Sequence, residues 1–307
     1  MVYYRIDIIR GEGMEFIIDE KYAGARVDRF LRKLLPGTAL TEIFKGIRTG
    51  NIKVNGKKTK ENNRLELGDV VKIFKVSGIE ALENTTQKIE EYIKISSEEL
   101  KVIKEAIVYE DERVVIINKP ANTVMHKGSG HDYGWSELLK SYYKNPDFSF
   151  VNRIDKATSG LVVGAKTLPV ARELSEEIRE NKTDKRYYIL VEGVIKENNF
   201  TKTTYLMKTE EKVVEFETHK PGSKESTSHF KVLSRGKNRT LLEGKLDSGR
   251  THQLRVQLSN MRHPIVGDYK YGAKGNSKRM MLHSYYLEIP RYKLKLSLEI
   301  PEEFKSF

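Results

Sequence analysis

Phe150-Val151-Asn152-Arg153-Ile154-Asp155-Lys156-Ala157-Thr158-Ser159-Gly160 carries the sharpest local signal in this chain. It leaves a strand-forming run, crosses a polar loop, and at Gly160 launches a second apolar strand through Leu161-Val162-Val163-Gly164-Ala165. Short runs of β-branched and apolar residues bounded by turn formers read as strands. The loop between them carries an acid, Asp155, flanked by Arg153 and Lys156. Nearby positive charge favours an ionised carboxylate, which suits a nucleophile or base, whereas most loop aspartates only cap turns.

Working outward, VVIINKP (114–120) and YYILVEG (187–193) are further runs of strand length, and Leu168 to Asn181 reads as an amphipathic helix opened by Pro169. Residues 106–307 are thus expected to form an α+β domain with a mixed, largely antiparallel sheet flanked by helices. Residues 77–105 lose this patterning, as in SGIEALENTTQ (77–87), and read as a linker.

Residues 1–76, with a core over 23–75, read as a separate small unit. Val27, Phe30, Leu31, Leu34 and Leu35 recur at helical spacing up to Pro36-Gly37. Thr41 is expected to cap a second helix through Ile43, Phe44 and Ile47, closed by Gly50. Ile52-Lys53-Val54, the turn Asn55-Gly56 and a returning strand over Val70 to Phe74 complete it. Arg26, Arg29, Lys45, Arg48, Lys53, Lys57 and Lys58 stud this unit, either as solvated faces or as an RNA-binding surface.

The whole chain of 307 residues carries 55 Lys and Arg against 43 Asp and Glu, a net charge of +12 that suits a polyanionic partner. Cysteine is absent, which removes disulfides and thiolate chemistry. No apolar run is long enough for a bilayer and MVYYRIDIIRGEG lacks the pattern of an export leader, so the expected setting is cytoplasmic, away from membranes.

A second cluster, GRTHQLRVQL (249–258) followed by RHPIVGD (262–268), fits strand and helix periods alike; Thr251 as a cap and the break at His263-Pro264 favour a helix. His252 and His263 lack the companions of a metal site and read as structural or RNA-facing. Nor does any GxGxxG, P-loop or Gly-x-Ser-x-Gly pattern point to a nucleotide cofactor or a serine hydrolase.

Two resemblances now bear on these segments. GARVDRFLRKLL and IFKGIRTGNIKVNGKKTKENNRLELGDVVKI resemble the small αL RNA-binding fold of a small-subunit ribosomal protein. INKPANTVMHKGSG, FVNRIDKATSGLVVGAKT, KRYYILVEG and LDSGRTHQLRVQLSNMRHPIVGDYKYG, in that order, resemble the RluA-type pseudouridine synthases that carry this domain at the front.

The resemblance implies a cofactor-free, metal-free isomerase of uridines in structured RNA, large-subunit ribosomal RNA above all, working as a monomer. It implies that Asp155 is the essential carboxylate, that Tyr187 packs under the base and accepts the proton leaving carbon five, and that Arg250 ion-pairs with Asp155. Arg153 would fill the space left by the flipped nucleotide, with Thr158 and His252 beside the substrate. Asn152 and Ile154 depart from the commoner His and Leu, which touches substrate fit rather than proton transfer. Whether the carboxylate adds covalently or abstracts a sugar proton stays open. A non-catalytic RNA-binding or ribosome-assembly factor is the rival reading.

Overall fold

The computed structural model describes residues 7–9, 13–35, 38–74, 92–128, 130 and 132–305. Pro36-Gly37 and the weakly patterned stretch 77–87 lie outside the described residues. Contacts divide the chain into Met1–Tyr92 with Thr167–Glu173, and Ile93–Lys166 with Leu174–Phe307.

The first unit is a five-stranded antiparallel sheet backed by two helices. Its strands are β1 (Asp7–Ile9), β2 (Gly13–Ile17), β3 (Ile52–Val54), β4 (Lys57–Lys58) and β5 (Val70–Ile73), in the order β1-β2-β5-β3-β4. Helices α1 (Val27–Leu34) and α2 (Leu40–Thr49) turn Val27, Phe30, Leu31, Ile43 and Ile47 onto Met14, Phe16, Ile52, Val54, Val71 and Ile73. The core of this unit reaches ahead of the expected 23–75: Met14 and Phe16 are buried and alternate with the more exposed Glu15 and Ile17, a period of two that marks a strand.

At the β3–β4 turn Asn55 and Gly56 have φ of 50° and 74°, the double left-handed conformation of a two-residue hairpin. The Asn55 amide then reaches β5, with Oδ1 accepting from Val70 N at 2.8 Å and Nδ2 donating to Asp69 Oδ1 at 2.7 Å. Thr41 does not cap α2. Ala39 holds the extended N-cap position instead, so Thr41 already lies inside the first turn, while Gly50 closes the helix with φ of 82°.

The second unit is built on an eleven-stranded sheet. In chain order it contains α3 (Ser97–Ala106), β6 (Ile107–Glu110), β7 (Val114–Lys119), α4 (Trp135–Tyr143), β8 (Ser149–Phe150) and β9 (Ser159–Ala165). There follow α5 (Leu168–Arg179), whose first residues group with the first unit, β10 (Asp184–Glu192), β11 (Asn199–Lys208), β12 (Val213–Phe216), β13 (Lys224–Arg235) and β14 (Arg239–Leu246). Last come α6 (Gln253–Asn260), β15 (Leu282–Ile289) and β16 (Leu294–Ser297). The path β12-β11-β13-β14-β10-β15-β9-β7-β6 is antiparallel except where β9 meets β15, with β8 on β9 and β16 on β15. Helix α3 falls inside the stretch read as linker; a Ser96/Glu99 capping box starts it and Ile103 is buried in the unit's core.

The parallel seam between β9 and β15 requires a glycine. Gly160 sits at φ +114°, and a Cβ there would stand 2.1 Å from Ser284 O and 2.6 Å from Ser284 N. Only a residue without a side chain lets β9 lie this close to β15. The loop that precedes it, with Asp155, is thereby set against the middle of the sheet.

Candidate active site

Asp155 ends one loop and Thr158 N donates to its carbonyl at 3.1 Å, a tight turn that delivers both residues to a cleft of about 80 Å³. Arg153, Ile154, Tyr187, Arg250, His252 and Arg255 share that cleft. The sequence-chosen residues are therefore brought together, but the pairing differs from expectation.

Arg255, not Arg250, holds the aspartate. Arg255 Nη1 donates to Asp155 Oδ2 at 2.9 Å, while its Nε and Nη2 grip Asp268 at 2.7 and 2.8 Å. Burial opposes the charge on this guanidinium, yet the two carboxylates more than offset that and raise its pKa. Arg250 precedes α6 in an exposed loop, whereas Arg255 lies in a helix turn buried on all sides. The helix phase decides between them.

Two glutamines anchor that helix. Gln257 Nε2 donates to Thr204 Oγ1 and to Ser226 O, both at 3.0 Å, and Gln257 Oε1 accepts from Ser228 Oγ at 2.6 Å. Gln253 Nε2 donates to Thr227 O and Ser228 Oγ at 3.0 Å, and its Oε1 accepts from Arg250 N at 3.1 Å. Buried amides satisfied at both ends fix the rotation of α6, and so the aim of Arg255. His252, with φ of 54°, is the helix N-cap rather than Thr251, and its side chain makes no cap bond.

The His252 ring instead joins Nδ1 to Tyr271 Oη at 2.8 Å and sets Nε2 3.6 Å from Asp155 Oδ2. Tyr271 Oη also accepts from Val213 N at 3.1 Å, which fixes the phenol beside the imidazole. Burial lowers the His252 pKa, with Asp155 working against that, which keeps the ring neutral near pH 7. His263 is a turn residue: its Nδ1 donates to Glu192 O at 2.8 Å.

Tyr187 and Tyr188 point to opposite faces of β10. Tyr188 stacks on Tyr285 at 3.7 Å, while Tyr187 faces the cleft and hydrogen-bonds Ser284. Burial, and after it the Asp155 charge, push the Tyr187 pKa up to about 12.

Lys119 escaped the sequence reading, although a lysine ending the apolar run VVIIN was its signal. Fully buried, it donates from Nζ to Pro120 O at 2.8 Å, Thr123 O at 3.0 Å and Lys156 O at 3.2 Å. It thus ties the loop after β7 to the loop of Asp155. Burial brings its pKa down to about 7, partly countered by Asp155. Asn152 is likewise structural, its Oδ1 accepting from Val163 N at 2.7 Å. Asp155 and Tyr187, singled out in the sequence, both line the cleft, and Arg255 and Asp268, which the sequence did not single out, form the ion-pair chain beside them.

Residues 113–260 match the model of the RNA pseudouridylate synthase family. A Vibrio cholerae protein named ribosomal large subunit pseudouridine synthase C is 34% identical over 302 residues, covering 94% of each chain. The chain belongs to the RNA pseudouridylate synthase family. The synthase is also 36% identical to a Vibrio parahaemolyticus protein of the same name, over 83% of this chain and 79% of that one. Human RNA pseudouridylate synthase domain containing 4, 22% identical, superposes with a TM-score of 0.58 over 67% of this chain and 92% of its own, which bears on the fold. This synthase is therefore an isomerase of uridines in RNA, and the rival reading as a non-catalytic factor falls away.

Proposed function

We propose that the synthase converts specific uridines of large-subunit ribosomal RNA to pseudouridine, with Asp155 as the acting carboxylate. The names of its relatives support the RNA class. The observation that carries the site reading is the 2.9 Å pair between Arg255 and Asp155 at the head of a cleft shared with Tyr187.

The isomerisation breaks the bond from ribose to base nitrogen, turns the base and rejoins it through carbon five, whose proton leaves. Redox equivalents and nucleotide energy are not consumed. Arg255 and His252 both face Asp155 Oδ2, so Oδ1 is the oxygen left to meet the ribose. Tyr187 rests as a neutral phenol and supplies a stacking platform for the base. It takes up the carbon-five proton only as its own passes to water, and water in turn supplies the hydrogen that N1 carries in pseudouridine. Exposed Arg153 lines the same cleft and fills the gap left by extrusion, which costs a few kcal/mol. Thr158 and His252 shape the cleft from either side, and Arg250 meets the backbone phosphate.

The first unit is proposed to bind RNA. Arg29, Lys45, Arg48, Lys57 and Lys58 are exposed, and the exposed Phe44 lies next to Lys45 on α2. Lys53 sits over the Phe74 ring, and Arg26 is occupied by a forked pair with Asp28 at 2.8 and 3.0 Å.

Large-subunit transcript labelled with tritium at carbon five of uridine should release label with no cofactor added. Asp155→Ala should stop release while RNA binding persists. Retained release by that variant would remove Asp155 from the role, and release only from transfer RNA would replace the substrate.

A further inference from the structure

A second cavity of about 370 Å³ adjoins the cleft and shares Gly249 and Arg250 with it. Its other walls are Leu206, Met207 and Lys208 from the end of β11, Val213 from β12, Gly222, Lys224 from β13, and Thr251. Three cations line it and no carboxylate does. Its floor is firm: Leu206 and Val213 pack with Val256 of α6 and Tyr271, the tyrosine that holds His252. An apolar floor under a cationic rim fits a base and a phosphate together.

We propose that this cavity is a subsite for the nucleotide next to the target uridine in the same strand, a role that rests on Asp155 facing that uridine. The neighbouring base packs against Met207, and its phosphates meet Arg250, Lys208 and Lys224. A uridine drawn out of a stack carries its neighbours' backbone with it, so an enzyme that also holds a neighbour offsets part of the extrusion cost. Arg250, standing on the shared wall, is placed for the phosphate between the two nucleotides. The cavity thereby reads the identity or size of one flanking base, a specificity element separate from the chemistry.

The test uses short RNA stem-loops centred on the uridine mapped by tritium release, each flanking nucleotide in turn replaced by an abasic residue that keeps its sugar and phosphate. Removal of one flanking base should raise KM about tenfold and leave kcat within about twofold. Met207→Trp, which fills the cavity, should raise KM on the intact stem-loop similarly and have little effect on the abasic one. Lys208→Ala with Lys224→Ala should flatten the salt dependence of binding. The inference is overturned if neither abasic substitution changes KM, or if Met207→Trp weakens intact and abasic RNA alike. Should Met207→Trp fail to fold, the abasic scan on unaltered protein decides alone. Loss of the reading itself looks different: the unaltered protein would then release no label from any stem-loop.

Discussion

Arg255 binds two carboxylates at once, Asp155 through Nη1 and the buried Asp268 through Nε and Nη2, so the acid of the cleft is held by a residue that is itself held. A forked guanidinium does this and an ammonium does not. Arg255→Lys should lower kcat by about a hundredfold or more, since one of the two acids loses its partner. Arg255→Met should also cost about 3–5 kcal/mol of stability, because Asp268 is left buried and unpaired. Tritium release and thermal melting measure the two effects.

Arg250→Ala separates the two arginines. It should raise KM about tenfold, leave kcat nearly intact and not shift the melting temperature, as expected for an exposed phosphate contact. A kcat loss equal to that of Arg255→Lys would return Arg250 to the chemistry.

The sequence could not choose between these arginines. Both lie in one motif, GRTHQLRVQL, and only the burial of α6 on every side reveals that Arg255 must be neutralised from within. A helix whose Gln253, Arg255 and Gln257 are all inward offers no polar face for periodicity to detect. Asp155 stands out in the sequence as an acid between two cations after a strand, and Tyr187 by the register that separates it from Tyr188, and the structure puts both in the cleft lining. The front hairpin was missed for another reason: β1 and β2 are short, and Met14 and Phe16 alternate over too few residues to stand out.

Gly160→Ala should destabilise the fold by at least about 3 kcal/mol, for a Cβ at φ +114° has nowhere to go against Ser284 O. Denaturant midpoints measure it. A variant as stable as the parent would show that the parallel seam can open.

His252 predicts a pH effect. Asp155 and Asp268 favour its proton, Arg255 and Lys270 oppose it, and burial outweighs them all in lowering the pKa. The unfolded imidazole titrates near 6.5. Between that value and the lower folded one, the unfolded chain holds more protons, so acidification through this window costs stability. Activity should fall there too, as the imidazolium competes with Arg255 for Asp155. His252→Gln should flatten this acid limb of the kcat profile, and Tyr271→Phe should shift it.

Lys119 acts on the alkaline side. Folded near 7 and unfolded at 10.5, it binds fewer protons in the native state between those values, so its burial penalty is relieved and stability rises with pH across that range. Lys119→Met should remove this slope from a pH series of melting curves, while the loops it ties together loosen and kcat drops.

The close approach at Gly160 means that the Asp-x-x-Thr-Ser-Gly order is set as much by room as by reactivity. Five positions beyond the acid, the chain must pass a neighbouring backbone that any side chain would push away, and such a push would travel straight back to the carboxylate. Variation in this loop is therefore bounded at both ends by different demands: charge pairing at Asp155, and bare clearance where it enters the sheet. A redesigned enzyme with altered uridine preference has room at an exposed position such as Lys156 that it does not have at Gly160.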